Sequence, residues 1–427
     1  MDIFRTSDTS TAAVVATTVV TTVACLSLFQ YSLYPRRKQI LPGPLTTSLP
    51  YLSKDEIKDL PYQPDHFPGA RDVETPRKYL TTTRDSCERC ELCRTLRIYS
   101  LANLIPQTKY GNIRVYEFGP EDGRKVLFIH GISTSCMTLS EIANGVAARG
   151  CRVMLFDLFG RGFTDGVGDL PFDTRLFVSQ VLLVLASSPL AWTGDGAMHL
   201  VGYSLGGGIA LNFAATFPRM VESLVLLAPT GVIRSENFGR LSRLVFTSGV
   251  VPEAILERLT KRRLRTPIGN SVSKKRRMST DAAAVAVSTP AAKESLLDTA
   301  NQEVVDPNED TVDSVHPFEA RIAAYVHWML RAHEGFVPAF MSTVRVGPLM
   351  AEHDYWRKLA RVRKPGTTAF ILARHDELIQ KDDYREDALP LVGGEDHVFW
   401  RIVPGGHNFP FTHPKEALEA IFEFWGW

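Results

Sequence analysis

The twenty residues M-H-L-V-G-Y-S-L-G-G-G-I-A-L-N-F-A-A-T-F, positions 198–217, leave this chain little choice of architecture. An apolar run ends at Val201 and a helical run of small and apolar residues begins at Leu205. Between them stands Gly202-Tyr203-Ser204-Leu205-Gly206, a G-x-S-x-G turn from strand to helix. So abrupt a turn strains the backbone and lifts the serine hydroxyl clear of the strand end. Glycines at 202 and 206 let the neighbouring backbone pass where a Cβ would clash. The helix that follows points its first N–H groups at any negative charge developing beside Ser204.

The segments around this turn repeat its rhythm. Asn112 to Phe118 alternates apolar and polar residues and is expected to be an antiparallel first strand. Lys125–Ile129, Cys151–Phe156, His199–Val201 and Glu222–Ala228 are short apolar runs, as strands buried on both faces require. Glu141–Arg149 and Arg175–Ala186 are the helices between them. The fold class predicted is α/β, a doubly wound and mostly parallel sheet. The rhythm breaks from about 232 to 362, where a helical cap is expected. Phe238–Leu264 is expected to be helical, and Arg262–Asp313, with its K-K-R-R run, alanines and acidic tail, to be a weakly structured excursion. The aromatic residues Phe318, Tyr325, Trp328, Phe336 and Phe340 fit a lid over an apolar pocket, or plain packing. Thr367–Leu372 and His397–Val403 resume the sheet, and Pro414–Trp425 is the closing helix.

N-terminal to the sheet the chain changes character twice. Ala12 to Tyr34 is 23 residues without a charge, long enough to span a hydrocarbon core of roughly 30 Å. Arg36, Arg37 and Lys38 follow it directly. The expectation is an N-terminal transmembrane helix acting as a signal anchor over residues 1–40, with the catalytic domain on the cytosolic side. A cleaved signal peptide and an unanchored segment are the competing readings. Residues 41–109 are a proline-rich linker followed by an insertion at 77–109, poorly ordered or absent from some transcripts. Cys87, Cys90 and Cys93 form C-x-x-C-x-x-C without a nearby fourth ligand, so no metal and no cofactor is expected. Cys136 and Cys151 are small core residues. A net charge of +1 excludes a strong field for nucleic acid.

Three residues at predicted strand ends carry the chemistry. Ser204, Asp376 and His407 follow one another as Ser…Asp…His, one of the three chain orders of serine triads. Ser204 would attack a carbonyl, His407 would take and return its proton, and Asp376 would hold the imidazole. Glu377 is an alternative acid. The backbone N–H groups of Ile132 and Leu205 are the candidate oxyanion donors. His130 orients the loop after its strand, and Asp157 shapes the glycine-rich loop after the next.

The motifs H-G-I-S, D-L-F-G-R-G, G-Y-S-L-G-G, H-D-E-L-I and G-G-H-N-F-P, spread over roughly residues 110–427, resemble those of α/β-hydrolase-fold serine hydrolases with a helical cap. Within that family the chain is similar to membrane-anchored monoacylglycerol-lipase-like and carboxylesterase-like members, and its tether and cap resemble those of fungal relatives. The resemblance implies hydrolysis of carboxylic esters, of lipophilic acyl groups given the apolar N-terminus, through an acyl-enzyme. With serine at 204, epoxide hydrolase and dehalogenase chemistry is disfavoured. The expected partners are a small-molecule ester or lipid and, through the N-terminal helix, a membrane. Acyl transfer by the same triad and a catalytically silent membrane scaffold are the alternatives.

Overall fold

A computed structural model describes residues 38–44, 67–74, 110–234, 253–264 and 317–427. Ten strands are found among them: β1 (Ile40–Leu41), β2 (Ala70–Glu74), β3 (Asn112–Phe118), β4 (Lys125–Ile129), β5 (Arg152–Phe156), β6 (Gly166–Val167), β7 (Met198–Tyr203), β8 (Val221–Leu227), β9 (Thr368–Ala373) and β10 (Phe399–Val403). Eight form one sheet in the order β10-β9-β8-β7-β4-β5-β3-β2. From β10 to β5 every neighbour is parallel; β3 is antiparallel to both β5 and β2. The continuous apolar runs are central strands because both faces are covered. Helices Ser140–Ala148, Thr174–Ala186, Leu205–Thr216 and Pro414–Trp425 lie between or after them, and Leu127, Phe128, Val201, Leu226 and Ile371 are fully buried. Cys136 and Cys151 are buried with free thiols.

The sheet reaches further toward the N-terminus than residue 110. Ala70–Glu74, within the segment expected to be a stiff linker, is its edge strand. Asp72 lies opposite Arg114 in the register and pairs with it at 3.0 Å, and Arg71 reaches the buried carboxylate of Glu117 at 2.6 Å. Phe67 stacks on Phe118 with ring centroids 5.8 Å apart. Further upstream, β1 pairs with β6, and the Gly43 N–H donates to Asp165 Oδ1 at 2.6 Å. Composition hid these contacts because an edge strand, solvated along one side, needs no apolar run.

Residues 77–109 lie outside the described residues, as does the whole C-x-x-C-x-x-C motif. The strands that flank them pair so that Glu74 faces Asn112. The expected membrane helix at 12–34 also falls outside, as does the excursion expected at Arg262–Asp313 apart from Arg262–Leu264, which end a helix. Among the described residues no helix is long and apolar enough to cross a membrane.

Helices Glu253–Leu264, Pro317–Ala332 and Phe336–Val346 pack on one another beside the loop that follows β5, whereas His353–Val362 lies along Leu205–Thr216, and Arg363 just after it donates to Val221 O at the start of β8. Several aromatic residues of the first three are used in packing. Trp328 meets Phe163 edge-on at 5.7 Å and stacks with Tyr325 at 5.5 Å, and Phe336 and Phe340 are fully buried.

Candidate active site

Ser204 has φ +54° and ψ −120°, a left-handed conformation that costs a residue with a Cβ on the order of 1–3 kcal/mol. The surroundings hold it there. Its N–H donates to Leu227 O at 2.9 Å, and its carbonyl accepts from Gly207, Gly208 and Thr230. A Cβ on Gly202 would run into the Gly206 carbonyl, and one on Gly206 into the Ile129 carbonyl. Both glycines are therefore required by close backbone approach.

Two loops bring the other residues to this turn. The His375 N–H donates to Gly405 O at 3.0 Å, tying the loop after β9 to the loop after β10. His407 Nε2 then lies 3.0 Å from Ser204 Oγ, and His407 Nδ1 lies 2.7 Å from Asp376 Oδ2. The other oxygen, Asp376 Oδ1, accepts the N–H groups of Leu378 at 2.9 Å and Ile379 at 2.7 Å, so the carboxylate cannot swing away. All three residues are buried. Glu377 takes no part in this chain; its own carbonyl accepts from the Gln380 amide. One residue of the turn supplies support that sequence alone did not suggest: the Tyr203 hydroxyl donates to His407 O at 3.0 Å.

This constellation sits in a family fold. Residues 125–414 match the family described as alpha/beta hydrolase fold. The chain belongs to that family. Among relatives, this α/β-hydrolase is 30% identical to a serine hydrolase-like protein of Danio rerio over 30% of its own length and 37% of the relative's. It is also 30% identical to Lipase LipV of Mycobacterium tuberculosis, over 28% of its own length and 42% of the relative's. The chain thus spans about two fifths of the length of the curated relatives it matches. Among solved structures, a bacterial membrane phospholipase A superposes with a TM-score of 0.52 at 17% identity, covering 82% of this chain and 96% of that one. Bromoperoxidase from Bacillus anthracis does so at 0.51 and 17%, covering 74% and 96%. At that identity these likenesses speak for the fold.

The α/β-hydrolase loop after β4 carries Ile132, 3% exposed, next to a fully buried His130. His130 Nε2 accepts the Leu158 N–H at 2.8 Å, so the ring proton sits on Nδ1 and is donated to Gly131 O at 2.9 Å. That bond fixes the peptide plane carrying the Ile132 N–H. Leu205 is the first residue of the helix Leu205–Thr216, where N–H groups have no partner within the helix. Asp157 shapes the next loop by accepting N–H groups from Cys136 at 3.1 Å and Phe163 at 3.0 Å. Among the described residues no cluster could hold a metal.

Burial sets the charge state of this loop cluster. Desolvation, helped by the Arg161 charge, pushes His130 down to about 3. Burial pushes His333 down to about 4, and pushes Asp157 up to about 6 against its two N–H donors. Both imidazoles stay neutral in the fold while the unfolded chain binds their protons below about 6.5, so stability falls as the pH drops through that window. Asp157 opposes this, because the folded carboxyl takes its proton below about 6 and the unfolded one only below about 4. At pH 5 each imidazole is expected to remove about 2 kcal/mol and Asp157 to return about 1.5. Urea unfolding at pH 7 and pH 5 checks this. His333→Gln, which can keep the bonds to Thr164 O and the Gly335 N–H, should shrink the loss between the two by about 2 kcal/mol. An unchanged loss would show that His333 titrates normally.

Proposed function

We propose that this α/β-hydrolase is a serine hydrolase of carboxylic esters working through an acyl-enzyme. The observation that carries the reading is the buried chain from Ser204 Oγ through His407 to Asp376, built on a strained turn. In the proposed reaction His407 Nε2 takes the hydroxyl proton as Ser204 Oγ bonds to the ester carbon. The carbonyl oxygen gains a negative charge, which the N–H groups of Ile132 and Leu205 receive. Asp376 stabilises the imidazolium. Collapse of the tetrahedral adduct breaks the bond to the alcohol, which leaves with the proton from His407. Water then repeats the sequence on the acyl-serine and releases the acid.

The substrate proposed is an ester of a lipophilic acyl group. Support comes from the chargeless segment at 12–34 and from the apolar cap, whose helix Phe336–Val346 buries Phe336, Val337, Phe340 and Met341. The membrane phospholipase A among the structural neighbours is compatible with it. A panel of p-nitrophenyl esters from acetate to palmitate tests the claim. The expected result is a kcat/KM that rises from acetate to at least octanoate, by roughly tenfold for each two or three methylenes buried. A maximum at acetate would contradict the lipophilic assignment and leave the ester reaction standing.

A further inference from the structure

Arg161 is fully buried, and its guanidinium faces the loop that bears Ile132. Its three nitrogens go to three different places. Nε donates to Ile132 O at 3.0 Å, Nη1 to Phe159 O at 2.9 Å, and Nη2 to Thr343 Oγ1 at 2.9 Å. Phe172 covers the group, with its ring centroid 5.6 Å from the guanidinium carbon. Thr343 lies on the cap helix Phe336–Val346 and gives its own hydroxyl proton to Ala339 O at 2.7 Å. A lone pair of that hydroxyl is therefore left for Arg161.

The consequence is a clamp on one residue. His130 fixes the peptide plane before Ile132, through Gly131 O, and Arg161 fixes the plane after it, through Ile132 O. With both planes held, the direction of the Ile132 N–H is set. The second hold runs through the cap, because the same rigid guanidinium fork that grips Ile132 O is seated on Thr343. A lysine, one point charge on a flexible stem, cannot serve three acceptors in one plane.

We infer that Arg161 is a positioning residue that links the cap helix to the oxyanion loop and, together with His130, sets the direction of the Ile132 N–H. This rests on the reading of Ile132 as an oxyanion donor. A misaligned donor is felt when the oxygen becomes charged and hardly at all in ground-state binding. Its loss should therefore appear in kcat and in the affinity for a tetrahedral analogue, and leave KM nearly alone.

The test uses the full chain, p-nitrophenyl butyrate as substrate, and an alkyl trifluoromethyl ketone that adds to Ser204 to form a tetrahedral oxyanion. Arg161→Met is expected to lower kcat by about 10- to 100-fold, weaken ketone binding by a similar factor, and keep KM within about threefold. Thr343→Val, nearly isosteric, leaves the fork one acceptor short and is expected to lower both quantities by about 3- to 10-fold. Thr343→Ser, which restores the hydroxyl, should recover most of that loss. Should Arg161→Met fail to fold, the two Thr343 variants decide the matter. Unchanged kcat and ketone affinity in a folded Thr343→Val, or a loss confined to KM, would overturn the inference. A wild-type chain that neither hydrolyses the ester nor binds the ketone would instead overturn the serine-hydrolase reading beneath it.

Discussion

Replacing Ser204 with alanine is expected to lower kcat by about a millionfold, the scale on which a serine nucleophile carries acyl transfer. The change removes one oxygen and nothing else. The backbone at 204 is held by main-chain bonds to Leu227, Gly207, Gly208 and Thr230, none of which involves Oγ. Alanine shares the Cβ that already tolerates φ +54°, and Ala228 in the same structure stands at φ +42°. The melting temperature should therefore stay within a few degrees, with the circular dichroism spectrum unchanged. Steady-state hydrolysis of p-nitrophenyl butyrate checks the rate. A folded Ser204→Ala chain that retains more than a few per cent of wild-type turnover would place the nucleophile elsewhere.

The second large effect belongs to Asp376→Asn, expected to cost about four orders of magnitude in kcat. The geometry gives the reason. Asp376 Oδ1 is committed to the N–H groups of Leu378 and Ile379, so an asparagine would place its amide oxygen there and turn its NH2 toward His407 Nδ1. His407 Nδ1 would have to become an acceptor and the ring proton would move to Nε2. Nε2 would then point an N–H at Ser204 Oγ and could take no proton from it. Glu377→Gln should change kcat by less than about twofold, since Glu377 touches neither His407 nor Ser204 among the contacts described. If Asp376→Asn keeps its rate and Glu377→Gln loses it, the acid has been misassigned.

Much of the fold is legible in the sequence. The parallel strands announce themselves because a strand covered on both faces must be apolar along its covered length, as K-V-L-F-I and E-S-L-V-L-L-A are after their first residues. The three side chains that the fold brings together could be picked out because each follows such a run in the order Ser…Asp…His. What escaped has physical reasons as well. Strand β2 reads A-R-D-V-E, and its Arg71 and Asp72 are paired across the strands with Glu117 and Arg114, so no apolar pattern marks it. Arg161 lies in a glycine-rich loop, where a cation is ordinarily solvated; only the fold shows it buried against Ile132 and Thr343. Asp376 is preferred over Glu377 in the sequence only for lying nearer the strand end; the bonds that hold its carboxylate against His407 are visible only in the fold. The aromatic residues of the cap were ambiguous between a lid and packing, because both uses select the same side chains.

The most direct test of the central claim is to treat the folded, full-length chain with a fluorophosphonate and map the adduct by mass spectrometry. The account predicts a single, near-stoichiometric adduct on Ser204, absent from Ser204→Ala and formed far more slowly in His407→Ala. Failure of the folded wild-type chain to label, or an adduct on another residue that persists in Ser204→Ala, would contradict it.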